Sequence, residues 1–326
     1  MNSRSRKSSF VIALAAVLAL AISTAVAQAS SSSGSTKKGA SWIAKTTKKS
    51  LREFPGQGFR ADAVSALAAA RKSGAGTKKS ADDALVKSIS DGATDYATSA
   101  GASAKLALAA VASGSNPQCF GGIDLFAQID SFYELPGRSK GQYGTTAFDQ
   151  ALAMLALKAM HHKVPSAAVK FVRTHRGANG WNFALSTSKG DDTESTGLLI
   201  EAMRAAGVSK SNKSLKAAFK WMFNQQNSQG GYNPTDPTNS GAPTQANTTA
   251  YAIRAGDVMG KNLKKAKAAL RALQNKQGWF RNDSSSALAP GQTVGKGIAT
   301  SDSVIALSGL HYPVSVRKSV AKSCAQ

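Results

Sequence analysis

The chain reads as an all-α protein built from six helical hairpins, and three observations carry that reading. A glycine-aromatic turn recurs at Gly58-Phe59, Gly141-Gln142-Tyr143, Gly180-Trp181-Asn182-Phe183, Gly230-Gly231-Tyr232 and Gly278-Trp279-Phe280, with a glycine-less copy at Asp95-Tyr96. From Phe59 through Tyr96, Tyr143, Phe183 and Tyr232 to Phe280 the steps are 37, 47, 40, 49 and 48 residues, the period of a helical-pair repeat. Each turn follows a segment with one apolar stripe and precedes a segment rich in Ala and Ser/Thr.

The elements follow in order. The first hairpin is the tail of Ser41 to Arg52, then Phe59, then Ala61 to Arg71. Ser80 to Ser90 and Ala102 to Ala112 flank Tyr96, and Phe120 to Phe132 and Ala147 to Met160 flank Tyr143. Ser166 to His175 leads through Trp181 and Phe183 to Thr193–Ala206. Ser214 to Gln226 places Leu215, Ala218, Phe219 and Met222 on one helical face, and Ala246 to Met259 completes that unit. Leu263 to Gln274 and Ala299 to Leu310 form the last. Gly74, Gly114 and Gly207 sit where helices should stop, because glycine takes the left-handed cap conformation at little cost. The second helices are crowded with small residues, as in Ala104-Lys105-Leu106-Ala107-Leu108-Ala109-Ala110, and suit an inner layer. The first helices carry more lysine and suit an outer layer half in water. The period alone leaves open whether six hairpins form an open solenoid or close on themselves.

The first residues read as an export signal. Arg4, Arg6 and Lys7 precede an apolar run from Phe10 to Ile22, and Ala25-Val26-Ala27 supplies a cleavage site. Residues 1–27 are therefore expected to be removed and the protein secreted. Residues 28–39, dominated by Ser, Gly, Thr and Lys, read as a flexible linker, and residues 40–326 as the folded domain. No later stretch suits a membrane span.

The formal charge is +23, or +20 without the three cations of the signal. Its lysines are scattered at helical spacing, as in Lys213, Lys216 and Lys220. That pattern fits a solvated outer face, or attraction to an anionic extracellular or cell-wall polymer. The export signal and the lack of a nucleic-acid-binding motif argue against nucleic acid. Two cysteines, Cys119 and Cys324, permit one disulfide in an exported chain; the alternative is two unpaired thiols.

Gln226-x-x-x-Gly230-x-Tyr232 and Gln274-x-x-x-Gly278-x-Phe280 resemble the repeat of terpenoid cyclases and protein prenyltransferase β-subunits, with His175-x-x-x-Asn179-Gly180-Trp181 a degenerate copy. Asp192-Thr193-Glu194-Ser195-Thr196 is similar to the start of an inner helix there. The resemblance covers most of residues 40–312 and implies an (α/α)6 toroid, an inner barrel of six parallel helices within an outer ring of six. No Asp, Cys and His set matches the zinc site of the prenyltransferases, so no metal is expected. The cyclase acid motif Asp-x-Asp-Asp-Thr becomes Asp192-Thr193-Glu194-Ser195-Thr196, which lacks the paired Asp; Glu194 and Asp192 are the residues to carry acid catalysis if the chain is an enzyme. A third branch comprises carriers such as the α-domain of cobalamin carriers. Cys119-Phe120-Gly121-Gly122-Ile123-Asp124-Leu125 looks like part of their pattern. Their disulfides favour a Cys119–Cys324 link, while the β-domain that closes over cobalamin has no counterpart. No cofactor is expected, a cobalamin-like ligand being the one possibility the resemblance raises.

In a closed toroid the inner-helix N-termini share one mouth, where their half-dipoles converge. The residues expected to bind a ligand there are Tyr143, Asp149, Gln150, Trp181, Phe183, Asp192, Glu194, Tyr232, Asn247, Thr248, Trp279, Phe280 and Asp302. The competing account is structural: the aromatics wedge the turns against the helices, and Asp191, Asp192 and Glu194 cap a helix N-terminus. The reading is of an exported monomer that binds a small molecule or extracellular partner without catalysis. The alternative is a cyclase-like enzyme or a polysaccharide lyase or hydrolase at the same mouth.

Overall fold

Alanine crowding and striped amphipathicity divide the helices into two sets, and the computed structural model shows how each is used. It describes residues 34–234, 242–284 and 294–314. Among these the regular structure is helical, with isolated β-bridges and no strand. None of these helices is long and apolar enough to cross a membrane. The segment read as an export signal lies outside the described residues. So does Cys324, and with it the expected link to Cys119.

The alanine-rich set comprises α2 (Gln57–Lys72), α5 (Ala100–Ser113), α7 (Ala147–Ala159), α9 (Thr193–Ala205), α11 (Ala246–Val258) and α13 (Val294–Leu307). We call these the core helices, because most are buried on nearly every side. Small side chains make this possible. A Cβ on Gly197 of α9 would come within 3.1 Å of the backbone of Tyr251 on α11, so the two helices approach almost to backbone contact. The striped set comprises α1 (34–49), α3 (Asp83–Asp91), α6 (Leu125–Ser131), α8 (Ser166–Thr174), α10 (Lys213–Asn224) and α12 (Lys264–Ala272), with the single turn α4 (Ala93–Tyr96) between α3 and α5. These flanking helices bury one face only: Leu85 and Ile89 in α3, Ala168, Phe171 and Val172 in α8, Leu215, Ala218, Phe219 and Met222 in α10.

Core helix packs on core helix in chain order. α2 lies on α5, α5 on α7, α7 on α9, α9 on α11, α11 on α13, and α13 returns to α2. Starts and stops follow local chemistry. Ser99, Thr146, Asp192 and Asn212 each accept a backbone N–H of the first turn of α5, α7, α9 and α10. Gly74, Gly114 and Gly207 end their helices with φ near +80, as expected.

The glycine-aromatic turns join the two sets. In each of the last four, the aromatic N–H is held by a side chain of the following core helix. Tyr143 N donates to Gln150 Oε1 (2.9 Å), Trp181 N to Thr196 Oγ1 (2.9 Å), Tyr232 N to Thr249 Oγ1 (3.1 Å) and Phe280 N to Thr300 Oγ1 (3.0 Å). The repeated glutamines close the turns: Gln226 Nε2 donates to Gly230 O (2.7 Å) and Gln274 Nε2 to Gly278 O (2.9 Å). The turn glycine then seats the next flanking helix. Gly141 (φ +91) lies under Ala167 of α8, and Gly278 (φ +106) lies under Lys38 of α1.

Three expectations need correction. Residues 34–39, placed in the flexible linker by composition, are the start of α1. Tertiary packing overrides their polar sequence: Thr36, Ala40 and Ile43 are fully buried, and Ser35 O accepts from Gln274 Nε2 at 2.9 Å. Gly58-Phe59 is no turn but lies in the first turns of α2, and Asp95-Tyr96 lies in α4.

Gly278 combines left-handed backbone with a Cβ position 2.5 Å from Lys38 O. Gly278→Ala should therefore cost about 2–4 kcal/mol and visibly lower the melting temperature. Gly190→Ala, where nothing lies within 4 Å of an added Cβ, should stay within about 0.5 kcal/mol of the parent. Equal melting temperatures for the two variants would contradict the packing described.

Candidate functional site

Six core helices with alanine surfaces leave space where their larger side chains turn toward one another. A cavity of about 290 Å³ lies there, lined by Phe59, Asp62, Lys105, Phe148, Glu194, Gln245, Asn247, Tyr251, Asn282, Gly295, Ile298 and Asp302. Every core helix contributes: α2 gives Asp62, α5 Lys105, α7 Phe148, α9 Glu194, α11 Asn247 and Tyr251, α13 Ile298 and Asp302. Most come from the first or second helical turn, where free N–H groups and the helix half-dipoles favour negative charge.

The polar groups on the wall are partly paired. Lys105 Nζ meets Asp62 Oδ2 at 2.6 Å. Asn247 Nδ2 donates to Asp302 Oδ2 at 2.9 Å, and Thr248 Oγ1 donates to Glu194 Oε1 at 2.7 Å. Beneath the wall, the wholly buried Arg254 reaches Glu201 and Asp302, each at 3.2 Å. Its guanidinium lies 4.4 Å from the ring centroid of Tyr251 and 5.0 Å from that of Tyr312, a cation held between two π faces. Glu201 also accepts from Tyr312 N. Arg254 Nη2 and Asn247 Oδ1 are buried with no hydrogen-bond partner.

Burial dominates the electrostatics. It pushes the Asp302 carboxyl up to about 6, against the opposing pull of Arg254 and with help from Asp62. We attribute this balance to Arg254 dividing its charge between Asp302 and Glu201. Glu194 is also raised by burial, with Asp192 and Asp302 adding repulsion and the Thr248 hydrogen bond opposing it. Burial works against the Lys105 ammonium, but Asp62 outweighs it and raises Lys105.

The expected binding residues separate in the structure. Glu194, Asn247 and Asp302 meet at the cavity, and Thr248 stands behind Glu194. Tyr143, Trp181, Tyr232 and Phe280 are at most 1% exposed and do not line it; they fill the space between turn and helix. Trp279 is buried beside Lys296, 4.9 Å from its ring centroid. Gln150 is buried, with both amide atoms spent on the turn at Gly141 and Tyr143. Asp149 accepts from Gly101 N and Thr146 Oγ1. Asp192 caps α9, accepting from Ser195 N at 2.7 Å and Phe183 N at 2.9 Å, and burial raises its carboxyl. Asp191 accepts from Asn179 N and Gly180 N. Phe183 is exposed and leans on Phe148, centroids 5.9 Å apart, at the edge of the wall.

Sequence reasoning missed Lys105, Glu201, Tyr251 and Arg254. One signal was present: a lone charge inside an otherwise apolar core helix, as in Ala104-Lys105-Leu106 or Ile200-Glu201-Ala202. Such a charge must be paired or stay near a wet cavity. Compared with known proteins, the chain matches no family model, and no curated protein is similar to it in sequence.

The Asp302 carboxyl has its folded-state value raised from 3.8 to about 6. Its contribution to stability is therefore complete below pH 3.8 and lost as pH rises through about 6. Asp302→Asn removes that titration. The melting temperature of the variant relative to the parent should rise between pH 4 and 7, by the equivalent of up to about 3 kcal/mol. A difference that stays flat across that window would show that Asp302 is not buried as described.

Proposed function

We propose that this chain is an exported (α/α)6 toroid that binds a small molecule in the cavity at the N-terminal ends of its inner helices, without chemical turnover. One observation carries the reading: a single cavity takes a wall residue from each of the six core helices. A space to which every repeat contributes is a property of the closed assembly, and the return of α13 onto α2 supports closure. Concave sites with apolar and aromatic walls and a few placed polar groups are where small molecules bind. The cavity sits at the small end of the usual range, so the ligand has a mass of about 100–300 Da.

Binding is favoured over catalysis by how the acids are used. Asp192, the first acid of the cyclase-like motif, has both oxygens on backbone N–H groups of the α9 cap and the Phe183 turn. The excess positive charge includes exposed Lys213, Lys216 and Lys220 on α10, consistent with a solvated outer face. Secretion follows from the signal-like residues 1–27 and accounts for a soluble, lysine-rich exterior.

A second reading has its own support. Glu194 is raised by burial, faces the cavity and has Asp302 nearby, which are properties of a proton donor. In that reading Glu194 protonates a substrate in the same cavity.

Native mass spectrometry of the protein purified from its own host's medium, set against its denatured mass, tests the proposal. A reproducible bound mass of about 100–300 Da is expected, and Glu194→Gln should reduce its occupancy while the protein stays folded. A folded protein that is always empty would favour the proton-donor reading. The denatured mass would also report cleavage after Ala27.

A further inference from the structure

The groups around the cavity indicate the class of ligand, an inference that rests on the binding reading above. The chain carries a formal charge of +23, yet the cavity wall holds three carboxyl groups, Asp62, Glu194 and Asp302, against one ammonium, Lys105. Arg254 and Glu201 beneath it offset each other. A wall with carboxyl groups in excess thus sits inside a strongly cationic protein. The distant lysines do not cancel it, because exposed charges beyond a Debye length of about 8 Å are largely screened, while the wall acts at contact in a partly desolvated space.

The acids of this wall keep free acceptor capacity, beside the amides of Gln245 and Asn282, which carry both donors and acceptors. Lys105 is committed to Asp62 at 2.6 Å. Asp302 is committed to Arg254 and Asn247. Glu194 receives Thr248 on Oε1, and among the described residues no hydrogen bond reaches its Oε2. Asn247 Oδ1 is buried and unpartnered. Glu194 Oε2 and the buried Asn247 Oδ1 are thus open to a donor, and leaving a buried acceptor unmet is unfavourable. The rest of the wall includes the rings of Phe59, Phe148 and Tyr251. Aromatic faces attract cations, and Tyr251 already has the Arg254 guanidinium over it at 4.4 Å.

We propose that the cavity binds a small primary alkylammonium, its N–H groups donating to Glu194 Oε2 and Asn247 Oδ1 and its carbon stem lying against Phe59 and Phe148. A carboxylate or phosphate ligand would be placed against a wall with carboxyl groups in excess. A neutral polyol would satisfy the acceptors but leave the charge excess unbalanced. A quaternary ammonium would suit the rings and the charge but offers no N–H for the two acceptors.

Isothermal titration calorimetry on the full chain at pH 7.5 tests this with four probes of similar size: putrescine, 1,4-butanediol, choline and succinate. Putrescine is expected to bind at least tenfold more tightly than choline, with no detectable binding of butanediol or succinate. Glu194→Gln should weaken putrescine at least tenfold while keeping the parent melting temperature, because the amide oxygen can still accept from Thr248. Lys216→Ala, on the outer face, should leave binding unchanged. Butanediol or succinate binding as well as putrescine would overturn the ammonium assignment, as would failure of putrescine to bind. In either case a bound mass in the native spectrum would leave the binding reading standing, and an empty native protein would remove both.

Discussion

The contact on which the rest depends joins the first helix to the last hairpin. Gln274 Nε2 donates to Ser35 O across 239 residues of chain, Gly278 seats Lys38, and α13 lies on α2. Neighbouring units in a repeat array otherwise stabilise one another in sequence, and the terminal units need caps. Here the terminal units bury each other. The same contact brings Asp302 of α13 within the field of Asp62 on α2 and Lys105 on α5, so the electrostatics of the cavity exist only when the ends meet.

Small residues set the dimensions. Because α5 and α7 are dominated by Ala, and Gly101 allows its helix to approach Asp149, the core helices pack closely without large side chains to fill the centre. The space that remains is bordered by the few large or charged residues these helices carry. Its polarity is therefore decided by a handful of positions rather than by average composition, which is how an acidic cavity arises in a basic chain.

Arg254 shows the cost of that arrangement. Burying an arginine between two carboxyl groups is an expensive way to stabilise a core, since desolvation offsets much of the attraction. Its Nη2 remains without a partner. A hydrophobic side chain of similar volume would serve packing as well. The cluster instead anchors Asp302 and, through Glu201, the chain at Tyr312, and so holds the floor of the cavity in one geometry.

Much of the architecture was legible in the residues because it is local. Helix periodicity, glycine stops and the glutamines that close the Gly230 and Gly278 turns depend on neighbours a few residues away, and the expected helices agree with the observed ones to within a few residues at most boundaries. The start of α1 was not legible, because residues 34–39 are polar and become helical only by packing on the distant last hairpin. Nor was the division of the aromatics. Tyr143, Trp181, Tyr232 and Phe280 belong to the turn repeat and fill the core, whereas Phe59, Phe148 and Tyr251 face the cavity, and composition treats the two groups alike. Glu194, Asn247 and Asp302 could be placed near helix starts from sequence. Their meeting with Lys105, and the buried Arg254 beneath them, required the tertiary structure, because the contacts of this cluster span 43 to 55 residues and no local period encodes which side chains of successive core helices face one another.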